Sequence, residues 1–214
     1  MPELVDLIRA TVRTSQRKAK AILADPKTAV LDTETTGLSS GAFIVDLAVI
    51  ARGRTLINTL VNPQIPIPPG ASEIHGIYDD DVRDAPIFDD IWPEFEKILR
   101  GRTVVIYNAS YDIRIIGNEV NRLDPELKSS LNISVEDAMV LYQQWYFGGV
   151  GRSGKGQTKL VTAHCDAPAC VAAVSKHQQA GAHRAYADCL ATVERLKMIA
   201  NSCWLEDHYK KAVR

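Results

Sequence analysis

The sequence predicts an α/β protein in which one mixed sheet of five strands is flanked by helices. Three observations carry this. Short apolar runs of strand length alternate with segments of helical period along the chain. The first three strand-like runs follow one another over connections too short for a crossover, so they pair antiparallel. Each later strand follows a helical segment, the order of parallel strands with helices against the sheet.

The elements follow in chain order. Residues 3–23 place Leu4, Leu7, Ile8, Val12, Ala19 and Ile22 on a helical stripe, and Asp25-Pro26 ends the helix. TAVLDT (28–33) reads as a strand and TTGL with SSG (35–41) as a turn; FIVDLAVI (43–50) and TLINTLVN (55–62) are the next two strands. NPQIPIPPG (62–70), with four prolines, is an extended loop, and 71–76 and 79–83 are short helical turns. Phe88, Ile91, Trp92, Phe95 and Ile98 recur at three and four and predict a helix over 88–100. TVVIY (103–107) is a buried strand, and 111–123 a helix. Residues 133–147 are a short strand running into a helix, and 184–203 a final helix with Cys189, Val193, Leu196, Ala200 and Cys203 buried. At 214 residues this makes one large domain.

Composition excludes several classes. Hydrophobic residues are 46% and charged residues 24%, which rules out a disordered chain. No apolar run reaches the ~18 residues of a membrane span, and Glu3 and Asp6 stand where a signal peptide needs a basic region. The expectation is a cytoplasmic protein that contacts no membrane. None of the four cysteines (Cys165, Cys170, Cys189, Cys203) forms a CxxC pair, as expected of reduced thiols. Net charge is −1, but it is unevenly spread. Residues 1–24 carry five basic and two acidic side chains, residues 71–100 three and nine, and residues 145–185 five and one. That asymmetry suits a chain with one polyanion-facing side.

The chemistry lies in the carboxylates. Asp32 and Glu34 stand at i and i+2 as the first strand ends, so both project from one face. Asp112 opens the helix after the fourth strand, and Asp188 lies on the last helix. Acids gathered from three elements repel, and a divalent cation relieves the repulsion. An all-oxygen donor set suits Mg²⁺ or Mn²⁺ and not zinc.

LDTETTGL (31–38), IHGI (74–77), YNASYD (107–112) and HRAYAD (183–188) occur in the order found in the DEDDh 3′–5′ exonucleases, and the chain resembles that family from about Thr28 to Ala200. The family includes the proofreading epsilon subunit of bacterial DNA polymerase III and RNase T. The resemblance implies an RNase H-like fold, with two Mg²⁺ (or Mn²⁺) held by Asp32, Glu34, Asp112 and Asp188, and His183 as general base. It implies substrate contacts at Thr35, Thr36, Gly37, Leu38, His75 and Asn108, although His75 also suits a structural role in its loop and Asn108 a packing role beside Asp112. A related subgroup has tyrosine four residues before the last aspartate. Arg184 stands there and His183 one residue earlier, so the histidine subgroup fits. Five helical residues rotate by about 500°, leaving the two positions about 140° apart. His183 therefore belongs on the turn before the helix. Asp46 stands where the family commonly has glutamate and Tyr111 where it often has phenylalanine; neither enters the expected site.

The expected reaction is hydrolysis from the 3′ end of single-stranded or frayed DNA, releasing nucleoside 5′-monophosphates. The alternatives are RNA trimming, or a non-catalytic nucleic-acid-binding or polymerase-accessory module. A DNA polymerase or a second copy of the chain are candidate partners. The organisation reads as an N-terminal helix (1–26) packed on an exonuclease domain (27–203), with a tail (204–214). GVGRSGKG (149–156) is a near miss for a nucleotide-binding loop, because Gly156 replaces the Ser/Thr that would hold Mg²⁺. It reads instead as a basic loop in which Arg152, Lys155 and Lys159 meet phosphates. His164, Cys165, Cys170 and His177 lack zinc-site spacing, and Trp145, Tyr146 and Phe147 read as core before base stacking.

Overall fold

The structure, a computed structural model, describes residues 2–148 and 183–201. Its strands are β1 (Thr28–Thr35), β2 (Ile44–Ala51), β3 (Arg54–Leu60), β4 (Thr103–Ile106) and β5 (Ser134–Asp137). They form one sheet in the order β3-β2-β1-β4-β5. The β2–β1 and β3–β2 pairs are antiparallel, and β4 and β5 continue the sheet in parallel. The helices are α1 (Pro2–Ala24), α2 (Pro69–His75), α3 (Asp79–Val82), α4 (Phe88–Leu99), α5 (Ala109–Leu123), α6 (Ala138–Phe147) and α7 (Ala185–Asn201). A short 3₁₀ turn at Pro125–Ser130, which no periodicity announced, links α5 to β5.

Strand alternation sorts the core into two layers. Ala29, Leu31, Leu47, Val49, Val104 and Ile106 pack with α4 and α5. Val30, Ala48, Ile50 and Val105 point the other way and pack with α1, α6 and α7. β2 is buried along its whole length, as an inner strand covered on both faces must be. Parity then fixes the chemistry: Asp32 and Glu34 share the Val30 face, toward α7, and Thr33 shares the Leu31 face, toward α5.

The α1 seam differs from the predicted stripe. Val12, Ser15, Ala19 and Ile22 are buried and Ile8 is partly so, but Leu7 is 60% exposed. Steps of four and three from Ile8 reach every seam position and miss Leu7. This helix packs on α6 and α7. Gly148 closes α6 at φ 61°, and a Cβ there would lie 1.9 Å from the Ile8 side chain, so glycine suits both the left-handed turn and the approach of α1. Trp145 is fully buried beside Tyr142, as the core reading requires, whereas Phe147 is exposed. α5 begins two residues earlier than predicted, because Asn108 takes φ 65° and turns the chain directly from β4 into the helix. No helix among the described residues is long and apolar enough to cross a membrane. The glycine-rich loop, the His164–His177 set and three of the four cysteines lie outside the described residues.

Candidate active site

β1 carries Asp32 and Glu34 to its C-terminal end, and α7 lays Asp188 over the same face from its first turn. One carboxylate oxygen from each of the three lies within 4.8 Å of the other two. Asp32 and Glu34 are half-buried and Asp188 is buried.

Asp112 reaches the site from the opposite layer. It stands in the first turn of α5, and its Oδ1 accepts from the Thr33 amide at 3.1 Å and the Thr33 hydroxyl at 2.7 Å. This accounts for its place outside the tight group of three while its charge still acts on Asp32. Asp137 steadies the same corner: Oδ2 accepts from Ala109 N and Oδ1 caps α6 through Met139 N.

Among the described residues, the electrostatics are those of a site short of positive charge. Burial, then Asp112, Asp188, Glu34 and Asp46, hold the Asp32 carboxyl well above the usual range. Burial, followed by Asp188 and Asp46, pushes Glu34 up to about 9. Asp112 is pushed up to about 7 by burial, with the Thr33 bonds working the other way. Crowded carboxylates that ionise reluctantly alone are the donor set that a hard divalent cation would satisfy. Mg²⁺ or Mn²⁺ therefore fits these residues.

Stability follows from these shifts. The folded state holds protons on Glu34 and Asp112 more tightly than the unfolded chain does. Their contribution is full below the ordinary values of 4.5 and 3.8 and is lost as pH rises through about 9 and about 7. Without metal, the melting temperature should fall by several degrees between pH 6 and pH 9, at about 2–4 °C per kcal/mol for a chain of this size. Glu34→Gln should flatten the upper part of that fall, and Mg²⁺ should reverse it. A metal-free melting temperature that rises across this window would contradict the assigned repulsion.

His183 lies on the turn before α7 with φ 62°, as the rotation argument required, and its side chain is exposed. The two departures set aside in the sequence both prove to touch the site. Asp46 sits opposite Glu34 in the β1–β2 register and is 1% exposed. Its Oδ2 accepts from Arg184 Nε at 2.8 Å and from Ala185 N at 3.3 Å, anchoring the segment that follows His183. Tyr111 donates its hydroxyl to the Gly37 carbonyl at 2.8 Å and also bonds the Thr35 hydroxyl. Cross-strand register was the signal that would have found Asp46: an acid facing Glu34 needs a cation, and Arg184 supplies one.

The remaining expected contacts divide. Thr35 and Thr36 are buried, and Leu38 stands 84% exposed beyond them. A register shift between Glu34 and Thr35 marks where the strand ends and this segment turns away. His75, expected as a substrate contact, is buried, and its Nδ1 accepts from Ile77 N at 3.1 Å, a bond within its own loop. Burial lowers its pKa, opposed by the Thr35 carbonyl and Asp46 and aided by the charges of Arg184 and His183. His75 therefore lies beside the site. Asn108 is half-buried and serves as the left-handed residue before α5. Behind the acids the buried thiol of Cys189 faces the Val30 and Ala48 carbonyls, each at 3.6 Å.

A mixed sheet with acids gathered where β1 meets α5 and α7 defines a nuclease-type hydrolytic site. Residues 29–196 match the family model described as Exonuclease, and the chain belongs to that family. It is 37% identical over 195 residues to an uncharacterised exonuclease, CP81, of Escherichia phage 186, covering 89% of this chain and 96% of that protein. It is 34% identical over 131 residues to the DNA polymerase III epsilon subunit of Salmonella typhimurium, covering 56% of this chain and 54% of the relative. The chain thus spans about half the length of that subunit. Among solved structures it resembles exonuclease X in complex with 5′ overhanging duplex DNA (TM-score 0.51, 23% identity, 82% of this chain and 92% of that one). It also resembles an E. coli exonuclease I–single-stranded DNA complex (TM-score 0.59, 18% identity, 86% of this chain and 42% of that one). At these identities the structures bear on the fold alone.

Proposed function

We propose that this exonuclease hydrolyses phosphodiester bonds from the 3′ end of single-stranded or frayed DNA and releases nucleoside 5′-monophosphates. The observation that carries the reading is the convergence of Asp32, Glu34 and Asp188 within 4.8 Å, with Asp112 behind Asp32 and His183 on the adjoining turn. The four acids would hold two Mg²⁺ or Mn²⁺. When bound, the ions supply charge neutralisation of the scissile phosphate and activation of water.

The chain's own residues do the rest. Glu34 and Asp188 present their oxygens across the gap between β1 and α7, while Thr33 fixes the orientation of Asp112. His183, exposed to solvent, accepts the proton of the attacking water at a ring nitrogen. Asp46 holds the adjoining Arg184 and Ala185, so the turn that carries the base is tied to the strand that faces Glu34. The backbone of Thr35–Gly37 and the Leu38 side chain receive the terminal sugar and base, with His75 and Asn108 bordering the same place. The likeness to DNA polymerase III epsilon subunits favours a polymerase partner, and with it DNA over RNA.

The test uses single strands of DNA and of RNA labelled at either end, incubated with Mg²⁺ or with chelator. A 5′-labelled DNA strand should shorten stepwise, and a 3′ label should leave at once as a mononucleotide, with Mg²⁺ only. Faster loss of RNA would transfer the reading to RNA trimming. Binding without cleavage under all conditions would leave an accessory module.

A further inference from the structure

We propose that one face of α5 is a positioning device that holds the 37–42 loop as a rigid wedge, so that Leu38 meets the base of the terminal nucleotide. The inference rests on the reading of this loop as a substrate contact and explains how the contact gains its specificity.

Six consecutive carbonyls of the loop are taken by four side chains of α5. Tyr111 donates to Gly37 O at 2.8 Å. Arg114 donates to Ser39 O at 3.0 Å and Leu38 O at 3.4 Å. Asn118 donates to Ser40 O at 2.5 Å, and Arg122 to Gly41 O at 3.0 Å and Ala42 O at 3.4 Å. The donors stand at steps of three, four and four, which is one face of a helix.

The base of the loop is closed as well. Thr36 N donates to Phe43 O at 2.9 Å, and Phe43 N to the Thr36 hydroxyl at 3.0 Å. Glu119 Oε1 accepts from Ile44 N at 2.9 Å, and Arg122 lies 3.6 Å above the Phe43 ring and pairs with Glu119. Gly37 enters the loop at φ 144°, a conformation that side chains rarely adopt.

An exposed loop can leave its carbonyls to water at no side-chain cost. Here two arginines and an asparagine give up rotamer freedom to hold a backbone that buries little. What the arrangement secures is shape: an apolar side chain, 84% exposed, at a fixed place two residues beyond the buried Thr36 and four beyond Glu34. A rigid apolar projection beside a hydrolytic site suits an unstacked nucleobase, and pre-organisation removes the ordering cost from binding. The guanidinium groups point at carbonyls, so their part is geometric.

Lysine separates geometry from charge, because it keeps the positive charge and lacks the planar fork that spans two carbonyls. The experiment compares wild type with Arg114→Lys/Arg122→Lys on a short single strand of DNA with Mg²⁺, and on the same strand ending in an abasic nucleotide. Amide hydrogen exchange is followed in parallel at the loop's bonded N–H groups, those of Thr36, Ala42 and Phe43. The wedge predicts a roughly tenfold rise in KM for the base-bearing end with kcat held within about twofold. It predicts at least about tenfold faster exchange in the loop, an unchanged salt dependence of binding, and no difference on the abasic end. In a Leu38→Ala background the lysine pair should add nothing. Asn118→Ala, which removes one donor, should change KM and exchange in the same direction by less, and serves if the double variant folds poorly.

Wild-type kinetics together with wild-type exchange in these variants would overturn the wedge while leaving the exonuclease reading intact. So would a silent lysine pair beside an Arg→Gln pair that lowers the salt slope, since the arginines would then be phosphate contacts. Failure of the wild type to cleave any strand would overturn the exonuclease reading itself.

Discussion

Alanine at Asp32 or at Asp188 is expected to lower cleavage by at least roughly 10³-fold, the upper range for removing one electrostatic stabiliser from a preorganised site. Both side chains belong to the group of three within 4.8 Å, and they come from opposite sides of it, one from β1 and one from α7. The fold should survive, because neither carboxylate supports the packing of either core layer. Metal-free stability should hold or rise. Asp188 and Asp32 repel each other, and burial already holds the Asp32 carboxyl high. Turnover and thermal melting of the same preparations check both halves. Near-wild-type turnover in either variant would remove that acid from the metal site. A collapsed melting temperature would make it a structural residue instead.

The second large effect is expected at His183. His183→Ala should lower turnover by roughly 10²–10⁴, the usual contribution of a positioned general base, with strand binding little changed. In wild type, activity should rise from acid toward neutral pH, since a histidine accepts a proton only when it is neutral. In the variant that limb should flatten, leaving the rise that comes from metal ligands losing their protons. An identical acidic limb in the two profiles would take the histidine out of this role. Asp46→Asn offers a comparison: the amide oxygen still accepts from Arg184 and Ala185, so the turn should keep most of its aim.

How much of this could be read in advance depended on distance along the chain. The i, i+2 spacing of Asp32 and Glu34 lies within one strand, so period alone placed them on one face. The five-residue spacing from His183 to Asp188 excluded a shared helical face, and the structure puts His183 on a left-handed turn outside α7. The antiparallel-then-parallel sheet followed equally well from connection length. Asp46 was different. Its partners Arg184 and Ala185 are 138 and 139 residues away, and its place opposite Glu34 is a matter of register between two strands. The grip of α5 on the 37–42 loop spans 74 to 81 residues and has no local signature at all. Leu7 shows the converse: a residue that suits a hydrophobic stripe lies outward, because the partner helices α6 and α7 select one phase of the helix and the sequence shows several.

The approach of Asp112 from the opposite layer is the clearest case of tertiary structure adding to pattern. All four carboxylates were expected at one place. Strand parity puts Asp32 and Glu34 on the α7 side, whereas Asp112 comes from the α5 side and is aimed by Thr33, a residue of opposite parity between the two acids. Two approaches to one strand end give a site with two flanks, one lined by β1 and α7 and the other by α5.

A crystal grown with Mn²⁺ and a non-cleavable strand shows most directly, through anomalous scattering, whether these acids hold divalent cations. A strong anomalous peak is expected among the oxygens of Asp32, Glu34 and Asp188 and a second beside Asp32, with His183 turned toward the scissile phosphate. A map with the strand bound, no anomalous peak among those carboxylates, and a lysine or arginine side chain folded into their midst would contradict their role as metal ligands.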